Sequence, residues 1–252
     1  MSTLTRVSAV IWVVATLMLV VFPVIGVSDS VRLYYSNALQ TTSSLLASAI
    51  CFYAMSAFPS GSPLRKVWGA MGAGVLAWGI GATIFAAYPL LTGGDETPYP
   101  FYSDIGYLAT GPLMVIGLLI FKQTTGLESP LWGKALAFLL LLAAGALAFS
   151  ANAEGFADPS WAMRVASLGY TIFDPLLVAV TVLTATGFRG GLVGEAWWYA
   201  VVGILLFFVA NQAYTYLVMS ETYATGHPID MGWILGFGFI AWAALKTRRM
   251  MI

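Results

Sequence analysis

Eight stretches of about 20 mostly apolar residues run through this chain, and their length decides the solvent in which it folds. A helix rises about 1.5 Å per residue, so roughly 20 apolar residues cross a hydrocarbon core about 30 Å thick. We place the segments at 7–27, 36–58, 67–90, 104–122, 132–151, 163–187, 196–218 and 230–247. They are read as helices because backbone exposed to lipid must satisfy its own N–H and C=O groups. The runs are also too long and too uniformly apolar for barrel strands. Composition agrees: 60% of the 252 residues are hydrophobic and 9% charged, with a mean hydropathy of +0.85, where a soluble domain carries about 25% charged residues. The expected fold is an all-α polytopic membrane protein, a single integral membrane domain over residues 1–252.

Turn formers mark the links. Pro59, Gly61 and Pro63 fall in the second, Gly93, Gly94, Pro98 and Pro100 in the third, and Asp158 with Pro159 in the fifth. None exceeds about 15 residues, so no soluble domain is expected between segments. The first run, VSAVIWVVATLMLVVFPVIG, is longer than a signal-peptide core and no small-residue cleavage site follows, so it is read as a helix.

Charge orients the bundle. Arg6, Arg65, Lys66, Lys122, Lys134, Arg189, Lys246, Arg248 and Arg249 fall on the side shared by both termini, and only Arg32 and Arg164 on the other. The positive-inside rule then predicts a multi-pass protein of the cell (inner) membrane with both termini cytoplasmic. The opposite links are acidic, holding Asp29, Asp95, Glu96, Glu154, Asp158 and Glu221. With a formal net charge of zero, nothing points to nucleic acid; the lipid bilayer and other membrane proteins are the expected partners.

The chain compares with itself. SDIGYLATGPLMVIGLL (103–119) aligns without a gap on IDMGWILGFGFIAWAAL (229–245), pairing Asp104 with Asp230, Gly106 with Gly232 and Tyr107 with Trp233 at an offset of 126. Upstream, an offset of 130 sets Trp68 on Trp198. We therefore expect a parallel repeat of four helices, about 7–122 and 132–247, with its pseudo-twofold axis along the membrane normal.

Polar residues inside the spans are the candidate functional residues. Asp104 and Asp230 begin their helices on the outer face, where a carboxylate complements the positive helix end. Capping is the simpler role and ligand contact the alternative. Asp174, in GYTIFDPLLVAV, lies near the midpoint of its span, where a carboxylate costs about 2.5–3.5 kcal/mol, so it must face protein or a water-filled cavity. Pro175 removes a backbone donor beside it. Asn211 and Gln212 of the seventh segment are its candidate partners, as are Gln40, Thr41, Thr42, Ser43, Ser44 and Ser48 of the second, together forming a polar cluster that opens outward. The glycines of GAMGAGVLAWGIGA are read as helix packing rather than a phosphate loop, since no Lys-Ser/Thr follows. Trp132, Trp161, Trp197 and Trp198 are read as an interfacial belt.

Catalysis is not expected. Cys51 and His227 are the only residues of their kinds, which argues against a thiol metal cluster, a zinc or haem site and a Ser/His/Asp set. No cofactor or metal is assigned.

LAWGIGATIFAAYPLLTGGDETPYPFYSDIGYLATGPLMVIGLLIF, with GYTIFDPLLV and HPIDMGWILGFGFIAWAAL, resembles the multi-helix membrane region found ahead of diguanylate cyclase and phosphodiesterase (GGDEF/EAL) domains in bacterial signalling proteins. The likeness spans roughly 36–247. It rests on Pro100, Asp104, Tyr107 and Leu108, on Tyr170 and Asp174, and on Asp230, Gly232 and Trp233. Family members tend to carry an acidic residue near the place of Asn211. The resemblance implies a sensory or anchoring module and signal transduction rather than catalysis. Together with the polar cluster around Asp174, it leaves Tyr170, Asp174, Asn211, Gln212 and Ser44 as candidates for ligand binding or proton handling, with a purely structural hydrogen-bonded role for Asp174 as the alternative. Because the chain ends at TRRMMI soon after the last segment, such a module is expected to act through a partner. Two other readings stay open: an accessory or assembly subunit of a larger membrane complex, and a small transporter.

Overall fold

The computed structural model describes residues 3–188 and 191–250. Arg189 lies outside the described residues, as does the Arg6 side chain. The helices are α1 (Thr3–Val24), α2 (Asp29–Met55), α3 (Pro63–Thr92), α4 (Ser103–Thr125), α5 (Leu131–Ala151), the short α6 (Ala153–Ala157), α7 (Trp161–Ala185), α8 (Gly191–Met219) and α9 (Met231–Arg249). A 3-10 turn, Pro228–Asp230, precedes α9. Eight of the helices are long and apolar enough to cross a membrane. The chain is therefore a multi-pass α-helical membrane protein in contact with lipid.

Most boundaries shift by one to five residues from the sequence reading, α1 starting at Thr3 and α8 at Gly191, and two of the differences bear on the site. α2 starts at Asp29, seven residues before the apolar run, because Asp29, Ser30 and Arg32 interrupt the hydrophobic pattern while contacts near and far still hold these turns in the helix. One is local, an ion pair between Arg32 and Asp29. α3 continues past Pro89 to Thr92. A proline inside a helix frees the carbonyl one turn back. Here that carbonyl, on Phe85, accepts the Thr97 hydroxyl at 2.9 Å, so the backbone stays satisfied.

Six helices close into a ring. α2 packs on α3, α3 on α4, α4 on α7, α7 on α8, α8 on α9, and α9 back on α2. α1 lies outside against α2 and α9, and α5 outside against α7 and α8. The ring encloses an aromatic core in which Trp197 stacks on Trp68 at 6.1 Å and tilts over Phe121 at 4.4 Å. Nearer the other end, Trp78 packs on Tyr107 and Phe237. Trp197 is only 3% exposed, so it belongs to this core and not to an interfacial belt; Trp132, Trp161 and Trp198 are exposed. The glycines of α3 serve two neighbours, Gly72 and Gly79 facing α2 and Gly74 and Gly81 facing α4.

The two ends of the ring differ in charge. At one, Arg248 donates to the Tyr53 carbonyl at 2.7 Å, Lys246 pairs with Glu195, and Lys122 donates to Ser129 at 3.0 Å. At the other, Glu96 accepts the Thr225 hydroxyl at 2.7 Å and ties the third link to the seventh. We call these the basic and acidic faces.

Candidate functional site

The first turns of α4 and α9 meet the middle of α7 and the outer part of α2 inside the ring, toward the acidic face. Three carboxylates are buried there: Asp104, Asp174 and Asp230 are 7%, 5% and 0% exposed. Neither ion pair found among the described residues involves them. A buried carboxylate without a cation needs donors, and each has found them. Asp104 accepts the Phe101 N–H at 2.7 Å and the Tyr170 hydroxyl at 2.6 Å. Asp230 accepts three bonds, from Ser36 at 2.6 Å, the Gly226 N–H at 2.8 Å and Tyr223 at 2.9 Å. Asp174 accepts from Asn211 and Gln212, both at 2.9 Å.

The directions of these bonds are constrained. Trp233 can only donate, so its bond to Asn211 Oδ1 at 2.7 Å commits the amide oxygen and leaves the Asn211 NH₂ for Asp174. Ser36 accepts from Gln40 Nε2 at 2.9 Å and therefore passes its own proton to Asp230. Backbone N–H groups supply two of the remaining bonds. Asp104, Asp174 and Asp230 all act as acceptors.

Between them lies a cavity of about 30 Å³ whose wall includes Gln40, Trp78, Tyr107, Tyr170, Asn211, Tyr214, Tyr223 and Trp233. That is room for two or three water molecules, each needing roughly 10–15 Å³ by the same measure. Tyr99, from the third link, leans over this region with its ring 6.5 Å from Tyr170 and 5.9 Å from Tyr214. Its hydroxyl is buried with no hydrogen-bond partner among the described residues. Burial, and after it the charges of Asp104 and Asp174, hold the Tyr99 phenol well above its usual range. Burial and Asp230 do the same to Tyr223 in the seventh link. Both phenols stay protonated and remain donors.

The structure brings Asp174, Asn211 and Gln212 together. Tyr170, one turn before Asp174, turns instead to Asp104, whereas both donors to Asp174 come from α8 and share its Oδ2. Ser44 stays out of the cluster: its hydroxyl bonds back to the carbonyls of Gln40 at 2.9 Å and Thr41 at 3.0 Å in its own helix. α2 contributes Ser36 and Gln40, nearer the acidic face. Asp230 sits at the N-cap of α9 but makes no cap bond there, so helix capping does not describe it. Ser36, Tyr99 and Tyr223 were missed in the sequence, since Ser36 falls at the polar start of α2 and the tyrosines lie in links. Tyrosines flanking acidic, turn-rich links were the available signal.

Among the described residues, no three His, Cys, Asp or Glu side chains converge as metal ligands. His227 Nδ1 accepts the Ile229 N–H at 3.2 Å, and burial together with Arg32 keeps the imidazole below its usual pKa. Comparison with protein-family models, with curated proteins and with solved structures returned no match.

Proposed function

We propose that this chain is a ligand-binding module of the sensory type, embedded in the cell membrane and acting through a membrane partner, with its ligand site in the tyrosine-lined cavity between Asp104, Asp174 and Asp230. The observation that carries this reading is the cavity wall. Gln40 is 7% exposed, donates its NH₂ to Ser36, and has no protein donor on its Oε1 among the described residues. A protein interior seldom leaves such an acceptor facing empty space unless water or a ligand completes it. The resemblance to membrane regions ahead of cyclic-dinucleotide enzymes supports sensing over catalysis. The excess of basic residues at one face supports cytoplasmic termini.

A duplicated origin fits this architecture. The α2–α9 contact has its counterpart in α7–α4, and the α3–α4 contact in α8–α9. A Cβ on Gly74 would meet Met114 and the Thr110 carbonyl, while one on Gly203 would meet Ile240 and the Gly236 carbonyl. These pairs repeat at 126 between α4 and α9 and at 129 between α3 and α8. The offset of 130 is therefore one residue too long, because the Trp197–Trp198 doublet offered a second tryptophan and only Trp197 is buried like Trp68. Asp104 with Tyr170 corresponds to Asp230 with Ser36.

The test is in-cell cross-linking of the full chain followed by native purification, compared between wild type and Asp174→Asn. A module of this kind yields a partner complex whose yield changes when the variant, still folded, alters the cavity. A fixed large assembly indifferent to the variant favours the accessory-subunit reading. Reporter fusions at both ends should read as cytoplasmic.

A further inference from the structure

α1 is held to the ring mainly through the half nearer the acidic face. Tyr35 donates to the Ala15 carbonyl at 2.6 Å, Phe22 packs edge-on against Tyr35, and Thr16 and Leu19 are buried. At mid-depth Trp12 closes the contact: its indole N–H donates to Ser43 at 3.2 Å and its ring lies against Gly238. From there to the basic face, α1 and the α2–α9 pair enclose a groove of about 500 Å³, walled by Leu46 and Ile50 of α2 and by Phe239, Trp242 and Leu245 of α9. Leu46 is 62% exposed, so the groove opens onto lipid. From Ser43 to Tyr53 the helix rises about 15 Å at 1.5 Å per residue, half of a hydrocarbon core about 30 Å thick.

An apolar space holds water poorly, and an empty one forfeits the contacts of its lining, so something apolar fills this groove. Its length excludes a helix. A spanning helix of a partner or of a second copy of this chain needs the full thickness of the core, and α1 bars the way beyond Trp12. An acyl chain of one leaflet ends at mid-depth, where the groove ends. At the basic face the lining of α2 and α9 continues one turn further, from Ile50 to Tyr53 and from Leu245 to Arg248. Arg248 donates through Nη1 to the Tyr53 carbonyl at 2.7 Å and to Ser56 at 3.2 Å, and its guanidinium lies 3.8 Å from the Tyr53 ring centroid. Neither ion pair found among the described residues involves it, so its charge has no carboxylate partner there and Nη2 is left to donate. Lys246, toward α8, is already paired with Glu195. A guanidinium suits a phosphate, and basic sites between helices at a membrane face suit anionic lipid. We propose that the groove holds one acyl chain of an anionic phospholipid from the basic-face leaflet, with the lipid phosphate set against Arg248. This site is separate from the tyrosine-lined cavity and stands whether or not that cavity takes a ligand.

The experiment uses the full chain in micelles of an uncharged detergent, weighed by native mass spectrometry and then followed in thermal unfolding as phosphatidylglycerol is added. Phosphatidylcholine with the same acyl chains and water-soluble glycerol 3-phosphate serve as comparisons. The expected result is one phospholipid retained per chain and a saturable rise in unfolding temperature with phosphatidylglycerol, phosphatidylcholine needing at least tenfold more lipid. Arg248→Gln should raise the half-saturating amount of phosphatidylglycerol at least tenfold and remove the preference between the two lipids. Leu46→Trp sets a bulkier ring at the groove and should weaken the response to both. Its position is exposed, so it reports even if Arg248→Gln unfolds. Equal responses to the two lipids in the wild type overturn the proposal, as does no response to either, or a response to phosphatidylglycerol that survives in every variant that folds. A saturable response to glycerol 3-phosphate alone makes Arg248 a phosphate site without a chain and overturns it; a dimer mass without lipid gives the groove to a second copy and does the same.

Discussion

The indole N–H of Trp233 donates to the side-chain oxygen of Asn211 at 2.7 Å, and that bond decides which end of the Asn211 amide meets Asp174. Three helices are thereby tied in a row, α9 to α8 to α7, at a depth where lipid offers no replacement donor. Trp233→Phe keeps most of the ring volume but frees the amide to turn and leaves its oxygen unpaired. It should destabilise the protein by about 1–3 kcal/mol, the cost of a buried polar group losing its partner. Trp198→Phe, at a position 44% exposed, should change little. Thermal unfolding of both in the same detergent checks this; equal losses would show that the Trp233 bond carries no weight.

Asp174→Leu should harm the protein more than Asp174→Asn. Leucine leaves both the Asn211 and Gln212 NH₂ groups without an acceptor, at roughly 1–3 kcal/mol each, whereas asparagine keeps an acceptor oxygen and nearly the same volume. Expression level and unfolding temperature should rank wild type, Asn, Leu. An inverted order would mean that desolvating the carboxylate outweighs its hydrogen bonds.

Gly106 faces α3 so closely that a Cβ would collide with the Ala77 carbonyl, and the space around a Cβ at Gly145 in α5 is empty. Gly106→Ala must separate α3 from α4 and should cost about 1–3 kcal/mol by overpacking. Gly145→Ala should be neutral or stabilise slightly, since alanine is the better helix former by up to about 1 kcal/mol. Parallel unfolding curves for the two variants would contradict the close approach.

His227 makes stability depend on pH. Its imidazole is held neutral by burial and by Arg32, so its folded pKa lies below the ordinary 6.5. Below that value the unfolded chain binds the proton more readily, and stability falls as pH drops from about 6.5 toward the folded pKa. Above 6.5 no such loss occurs. His227→Asn keeps an acceptor for the Ile229 N–H and does not titrate. The wild type should therefore lose unfolding temperature relative to this variant between pH 7 and pH 5, and curves that stay parallel would remove His227 from the account.

The eight spans were legible in the sequence because hydrophobic length is a local property, fixed by the thickness of the bilayer and the rise of a helix. So was the need of Asp174 for protein donors, since a carboxylate at that depth has no other source. Which donors it takes was not legible. Tyr170 and Asp174 lie on one face a turn apart, yet closure of the ring sends one to α4 and the other to α8. The start of α2 was hidden for the same reason: DSVRLYY reads as a link until Ser36 meets Asp230, 194 residues away in sequence. Of two adjacent tryptophans, composition could not say which faces the core, because neighbouring residues on a helix point about 100° apart and only the packing of Trp68 and Phe121 selects Trp197. Helix length and membrane depth are properties of a segment, whereas pairing is a property of the ring, and the cavity exists only where α2, α3, α4, α7, α8 and α9 converge.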